Sequence, residues 1–418
     1  MVVVVTAVAA ALTLLQALLG LLGDRINWLP IPFLNKRRSP ESGGGFWDAI
    51  TGVVTSHPLI SVVITAVLLI ALTAPVTTIE LGSGGISMLP DDTNERHAFD
   101  VLIEQFSDGI ITADIVVLAP DVSTDSIQEA IDKLTVSLES DDFFGTAESI
   151  ISGKGDLTDI RVSIAGDISS DESIAGISRL RDDYIPAAFA GVDAEVLVGG
   201  GTAEVMDSVA IVWQYVPLIM VVVLAASFLL LLIAFRSIVV PLKAIVMNLL
   251  SVGAAYGMVV LVFQKCVGST LFGFQEVPVI EAWIPLFLFA ILFGLSMDYH
   301  VFLLSRIKER YLQTGDNSRS VAYGLNSTAS IITGAALIMV AVFGGFALGP
   351  LSMFQQMGFG LAVAVILDAT IVRMVLVPAS MELLGDKNWY FPSWLEWLPN
   401  ISIEGDSNVA AVDGAAGD

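Results

Sequence analysis

The stretch FGLSMDYHVFLLSRIKERY, Phe293 to Tyr311, decides the fold. Its first half is apolar apart from one carboxylate, Asp298, and its second half closes on Arg306, Lys308, Glu309 and Arg310. A carboxylate in hydrocarbon must face protein or a water cavity, pair with another group, or hold a proton. No Lys or Arg lies within one helical turn of Asp298, so a partner has to come from another helix. Withdrawing a carboxylate from water without supplying a cation favours its neutral form, and such a group can exchange a proton where a surface carboxylate stays ionised. Asp298 is therefore a candidate for proton or ion coupling, with a purely structural polar pair as the alternative.

The neighbours of Asp298 extend the candidate site. Tyr299 supplies a hydroxyl, but adjacent helical residues differ by about 100° in direction, so Asp298 and Tyr299 look toward different neighbours. Ser296 and Thr333 are weaker candidates for a relay, because Ser and Thr in membrane helices usually bond their own backbone. His300 is a titratable group toward the basic end of the same segment. Asp368 and Arg373 lie five apart in the last apolar run, only roughly on one face, where charges near a helix end snorkel or pair. Structural anchoring is the expectation for that pair, with a supporting part in gating or hydration as the alternative.

Moving outward, similar apolar runs recur at 58–76, 209–235, 238–264, 282–304, 326–349 and 352–378. Each is long enough for one crossing, which takes about 20 residues. A hydrophobic fraction of 55% over 418 residues agrees with a polytopic membrane protein and excludes a purely soluble one. Arg25 with Lys36 to Arg38, Arg236 with Lys243, and Arg306 with Lys308, Arg310 and Arg319 make three alternate polar segments basic. The positive-inside rule assigns those segments to the cytoplasm and the block between the first two spans to the outside. Lys265 is an isolated exception.

The net charge of -24 has a local origin, since residues 80–207 hold 27 of the 43 acidic side chains and only 6 basic ones. An acidic chain without a basic stripe is a poor partner for nucleic acid. The single Cys266 and three scattered His residues exclude an internal disulfide and a multi-thiolate metal site. Within the acidic block Ala113 to Leu118 reads as a strand, and Ser123 or Thr124 caps a helix running to about Glu139. Ile160 to Ile164 alternates, Asp171 to Ile185 is amphipathic, and Ala194 to Val198 reads as a strand before Gly199, Gly200 and Gly201. That order fits a small split βαβ domain as well as a generic α/β insert.

The resulting organisation is residues 1–22, an apolar helix or its remnant; 23–57, a cytoplasmic linker; and 58–76, the first full span. Residues 77–207 form an extracytoplasmic α/β domain, 208–381 a five-helix bundle, and 382–418 a cytoplasmic acidic tail. No basic n-region precedes the apolar start, which argues against a signal peptide. Small residues at Gly253, Ala254, Ala255, Gly257, Gly334, Gly344, Gly345, Gly358 and Gly360 permit close helix approach.

Phe293 to Tyr311, Asn317 to Leu325, Ile332 to Leu348 (ITGAALIMVAVFGGFAL) and Gly358 to Pro378 (GFGLAVAVILDATIVRMVLVP) together resemble the MMPL family of the resistance-nodulation-division (RND) superfamily. Ala234 to Ala244 (AFRSIVVPLKA) and Gly199 to Asp207 (GGGTAEVMD) resemble the links flanking the helix that returns from the external domain in those proteins. The resemblance implies a half-transporter: a polytopic α-helical bundle with an extracytoplasmic, porter-like α/β domain, matching the second half of a twelve-helix exporter. It implies export of lipids or other hydrophobic compounds, driven by the proton motive force, with protons as the coupling ion and no cofactor.

In the family an Asp-Tyr pair of one half faces the equivalent pair of the other, and Asp298 with Tyr299 matches the second. The implied partner is a missing N-terminal half or a separate half-size chain; a homo-oligomer is a further arrangement. His300 departs from the acidic residue often found beside that tyrosine, and Ser380 from a bulkier apolar one. Alternatives of the same superfamily are a SecDF-like export auxiliary and a Patched-like lipid transporter. A non-transporting scaffold would leave Asp298 costly and unused, and an enzyme lacks a convergent nucleophile, base or metal cluster.

Overall fold

The computed structural model describes residues 2–23, 52, 54–90, 92–105, 111–164, 167–277 and 279–397. Val2 to Leu22 is helical, with a π-helical turn at Ala11–Leu15, and belongs to a unit separate from residues 50 onward. The expected linker 23–57 and the end of the expected tail, 398–418, lie almost wholly outside the described residues.

Among the described residues six helices are long and apolar enough to cross a membrane: α1 (Pro58–Thr78), α5 (Gly201–Phe235), α6 (Val239–Gln264), α7 (Ile284–Thr314), α8 (Asn317–Ala347) and α9 (Ser352–Trp389). Several run past the apolar stretch that announces them. α8 starts at Asn317 rather than near residue 326, because the side chain of Asp316 accepts from the backbone N of Arg319 at 3.1 Å and caps a polar first turn. α7 begins at Ile284 with Pro285 in its first turn and is closed after Thr314 by Gly315, whose φ is +67°. α9 continues to Trp389, and residues 393–395 fold back on the bundle with Leu395 buried. Residues 382–397 are thus part of the folded body rather than the start of a tail.

α6 is the hub of the bundle, packing on α1, α5, α7 and α9. More than half of the membrane window of α6 and α9 is buried, against less than a fifth for α1, α5 and α8. The α1–α6 crossing depends on Gly257, where a Cβ would overlap the carbonyl oxygen of Leu72. Gly334, Gly344 and Gly345 meet nothing within 4 Å at their Cβ positions, so these small residues of α8 do not serve the helix contacts described.

The insert between α1 and α5 is built from α2 (Asn94–Gln105), β2 (Thr112–Leu118), α3 (Asp125–Glu139), β3 (Phe144–Ile151), β4 (Leu157–Ile164), α4 (Asp171–Arg179) and β5 (Glu195–Gly200). The sheet order is β3-β4-β2-β5, and every pair is antiparallel. Two βαβ-like halves joined through β3 and β4 make the split arrangement anticipated from the pattern, with one strand more than expected. β3 (FGTAESII) is the unanticipated one: it is an edge strand exposed along most of its length, so it carries no alternating apolar signature. Inward-facing Ile115, Val117, Ile160 and Val162 meet Ile131, Leu134, Leu138 and Ile177 of the two helices in one core.

Capping differs in detail from the sequence pattern. Thr124 occupies the N-cap of α3, yet its hydroxyl donates to the carbonyl of Asp121 at 3.1 Å instead of accepting from the helix. Ser170 does cap α4, accepting from the backbone N of Ser173 at 3.1 Å.

A short parallel pair, β1 (Leu81–Gly82) with β6 (Ile280–Glu281), stitches the exit of α1 to the entry of α7. At the other seam Gly200 turns β5 into α5 with φ of +96°, and a Cβ there would collide with the backbone of Thr112. α5 then runs 35 residues without interruption from the sheet into the bundle.

Candidate functional site

The helical period sorts the candidate residues of α7. Ser296 and His300, one turn apart, point into the bundle and are buried, whereas Asp298 lies on the opposite side, exposed, and Tyr299 is half-buried between them. Asp298 makes no hydrogen bond or ion pair with any described residue. The partner expected from another helix is therefore not supplied by this bundle, and the carboxylate stands on its open apolar side.

Ser296 is the centre of a buried polar network joining three helices. Its hydroxyl lies 2.8 Å from Oδ1 of Asn248 on α6 and 3.1 Å from Oδ1 of Asp368 on α9, so one proton serves two acceptors. The expectation that Ser296 satisfies itself on its own backbone fails, since its hydroxyl bridges helices instead. Thr333 does follow that expectation, donating to the carbonyl of Ala329 at 2.7 Å, and takes no part in the network shown.

Asp368 and Arg373 are corrected in geometry and in depth. Their five-residue separation is cofacial after all, because residues Asp368–Leu376 form a π-helical segment with bonds to the fifth residue back. Arg373 Nε and Nη2 lie 3.0 and 2.8 Å from Oδ2 of Asp368. Arg373 is 0% exposed, and since α9 extends to Trp389 the pair lies within the helix rather than snorkelling from its end. Its guanidinium also donates to the carbonyl and hydroxyl of Ser296 and sits 4.8 Å from the ring centroid of Tyr299.

Tyr299 directs its hydroxyl at Sδ of Met339 on α8, 3.3 Å away, so it looks away from Asp298 as the sequence spacing required. His300 Nδ1 lies 3.3 Å from the carbonyl oxygen of Ser296. Asn248 Nδ2, His300 Nε2 and Arg373 Nη1 are buried without a hydrogen-bond partner among the described residues, which gives the network capacity for further polar contacts. A narrow cleft beside it is lined by Asn248, Ser251, Ser296, Tyr299 and Asp368.

Ser296, Tyr299, His300, Asp368 and Arg373 are thus brought together, while Asp298 and Thr333 stand apart. Asn248 is the member that sequence reasoning misses. Its only signal is an amide in the middle of the apolar run of α6, the kind of residue that hydrogen-bonds across helices. Among the described residues no three His, Cys, Asp or Glu side chains gather as a metal site.

Six apolar helices, a carboxylate on an apolar helix face and a buried ion pair behind it define a multi-pass membrane protein. The chain belongs to the MMPL family, which it matches over residues 87–397. It is 34% identical to the mycolic acid-containing lipids exporter MmpL11 of Mycolicibacterium smegmatis, over 96% of this chain and 42% of the relative. It is 32% identical to the membrane protein YdfJ of Bacillus subtilis, over 96% of this chain and 54% of the relative. It is also 30% identical to the trehalose monomycolate exporter MmpL3 of Mycolicibacterium smegmatis, over 94% of this chain and 42% of that protein. The chain therefore spans about half the length of these relatives.

Proposed function

We propose that this chain is half of a proton-driven exporter of lipids or other hydrophobic compounds, with Asp298 as the group that takes up and releases the coupling proton. The observation that carries the reading is the placement of Asp298: an exposed carboxylate on an apolar helix face, one residue from Tyr299 and backed by the Asp368–Arg373 pair. Leaving that charge to lipid is costly, and a second six-helix unit laid against the α7 face, in the same polypeptide or a separate one, relieves the cost. Protonation of Asp298 then changes the charge at the seam between the units and biases their relative position, as alternating access requires.

In this reading the basic ends of the bundle lie in the cytoplasm and the acidic α/β domain outside the cell membrane. Tyr299 links the seam to the buried network, in which Asn248, Ser296, Asp368 and Arg373 hold α6, α7 and α9 together and His300 lies against the Ser296 carbonyl on α7. The lipid class of the cargo is supported by the two mycobacterial exporters, whose names specify mycolic acid-containing lipids and trehalose monomycolate. The test is export of a fluorescent lipid from proteoliposomes of the complete assembly under an imposed pH gradient. Asp298→Asn abolishes the gradient-dependent component; an unchanged rate in that variant removes Asp298 from the mechanism.

A further inference from the structure

Glu281 is an acidic side chain buried at a junction, 8% exposed, three residues before α7 begins at Ile284. Its Oε1 accepts from the hydroxyl of Ser83 at 3.1 Å and from the backbone N of Gly84 at 3.0 Å. Both belong to the segment that leaves α1 for the α/β domain. The backbone fixes the register beneath: Ile280 N donates to the Glu80 carbonyl at 2.9 Å, and Ala282 N to that of Gly82 at 3.0 Å.

Contacts lead from this point in two directions. Toward the α/β domain, Ser169 donates to the carbonyl of Ser83 at 2.5 Å, and Ser169 immediately precedes Ser170, the cap of α4. Toward the bundle, Gln356 on α9 accepts from the backbone N of Glu281 at 3.3 Å and donates to the carbonyl of Val279 at 3.4 Å. α9 carries Asp368 and Arg373, and α7 carries Asp298 and Ser296. The backbone around Glu281 is therefore anchored to α7 and α9, two of the three helices of the buried network, while its carboxylate holds the link to the sheet domain.

Packing alone gives no reason for a carboxylate here. Burying one is unfavourable unless hydrogen bonds offset the lost hydration. The two donors reach the same oxygen only while the 83–84 segment keeps its present position against β6. A shift of α7 relative to α9 acts on that geometry directly, because β6 is tied to α9 by Gln356 and runs into α7 within three residues.

We propose that Glu281 is a positioning residue that passes the state of the α7–α9 network to the α/β domain through Ser83, Gly84 and Ser169. It rests on the reading of Asp298 as the proton-coupling group, so the test separates the two. Hydrogen exchange by mass spectrometry is measured on the complete assembly in proteoliposomes, comparing the unsubstituted protein with Asp298→Asn, which fixes the neutral form. The expected result is a difference in protection across residues 167–179 that shrinks at least about fivefold in a Glu281→Ala background.

Glu281→Gln keeps an acceptor oxygen and retains most of the difference. Ser83→Ala deletes one of the two bonds and gives a partial loss, which keeps the test decisive if Glu281→Ala does not fold. An Asp298→Asn difference that survives intact in both Glu281→Ala and Ser83→Ala overturns the positioning role alone. No difference in the unsubstituted background overturns the reading of Asp298, and the role of Glu281 falls with it.

Discussion

Arg373 grips Asp368 through one carboxylate oxygen, Oδ2, from two nitrogens at 3.0 and 2.8 Å, and leaves Oδ1 to face the Ser296 hydroxyl at 3.1 Å. This division lets a single buried carboxylate neutralise a cation and hold a second helix at once. Removing either charge strands the other in a low-dielectric interior.

Arg373→Ala or Asp368→Asn is expected to destabilise the bundle by about 3–5 kcal/mol, read as a lower melting temperature in detergent. Replacing both with apolar residues of similar volume recovers much of that loss, because no unpaired charge remains. A double variant as unstable as the worse single one contradicts this account.

Asn248→Leu deletes the acceptor that α6 offers to Ser296 without opening a void. Hydrogen bonds between membrane helices contribute modestly, so the cost is expected near about 1 kcal/mol. Because the Ser296 hydroxyl retains Asp368, the drop should be smaller than that of Arg373→Ala; thermal unfolding of the two variants side by side decides it.

In the α/β domain, burial opposes ionisation of Asp141, but hydrogen bonds from the backbone of Phe143, from Arg179 and from Tyr184 outweigh it and hold the carboxyl below its ordinary value. A depressed carboxyl contributes stability above its unfolded value, about 3.9, and loses that contribution as pH falls through the folded value. Acid titration of the sheet's exchange protection should therefore be steeper in the unsubstituted protein than in Asp141→Asn. At neutral pH Asp141→Asn costs about 1–2 kcal/mol, discounted for the partial exposure of Arg179.

Residues 80–207 carry an excess of 21 negative charges (27 minus 6). Raising salt from about 0.1 M to about 1 M shortens the screening length from about 10 Å to about 3 Å, which weakens that self-repulsion. The α/β domain should gain stability over this range, measured as slower exchange of its core amides. Loss of protection with added salt runs against the prediction.

What the sequence made legible follows from where the physics is one-dimensional. Apolar runs of spanning length gave six helices, and a carboxylate inside one of them was enough to mark Asp298. Helix ends were less readable, because Asp316 and Gly315 set the boundary between α7 and α8 while the apolar count set only the middle. Asp368 and Arg373 were visible, but their pairing rests on a π-helical segment that an ordinary helical wheel does not contain. Asn248 and Glu281 gain their meaning from contacts across 48 and 197 positions of sequence, and β3 from its place at a sheet edge.

α5 continues directly from the last strand of the sheet and runs 35 residues, about 52 Å at about 1.5 Å per residue, against roughly 30 Å of hydrocarbon. β5 ends at Gly200 and α5 starts at Gly201, so strand and helix join with no linker between them. A tilt of about 10° around its midpoint sweeps each end through about 4–5 Å, comparable to the spacing between neighbouring strands. A small change in slope within the bundle would thereby appear at the sheet as a displacement of several ångströms.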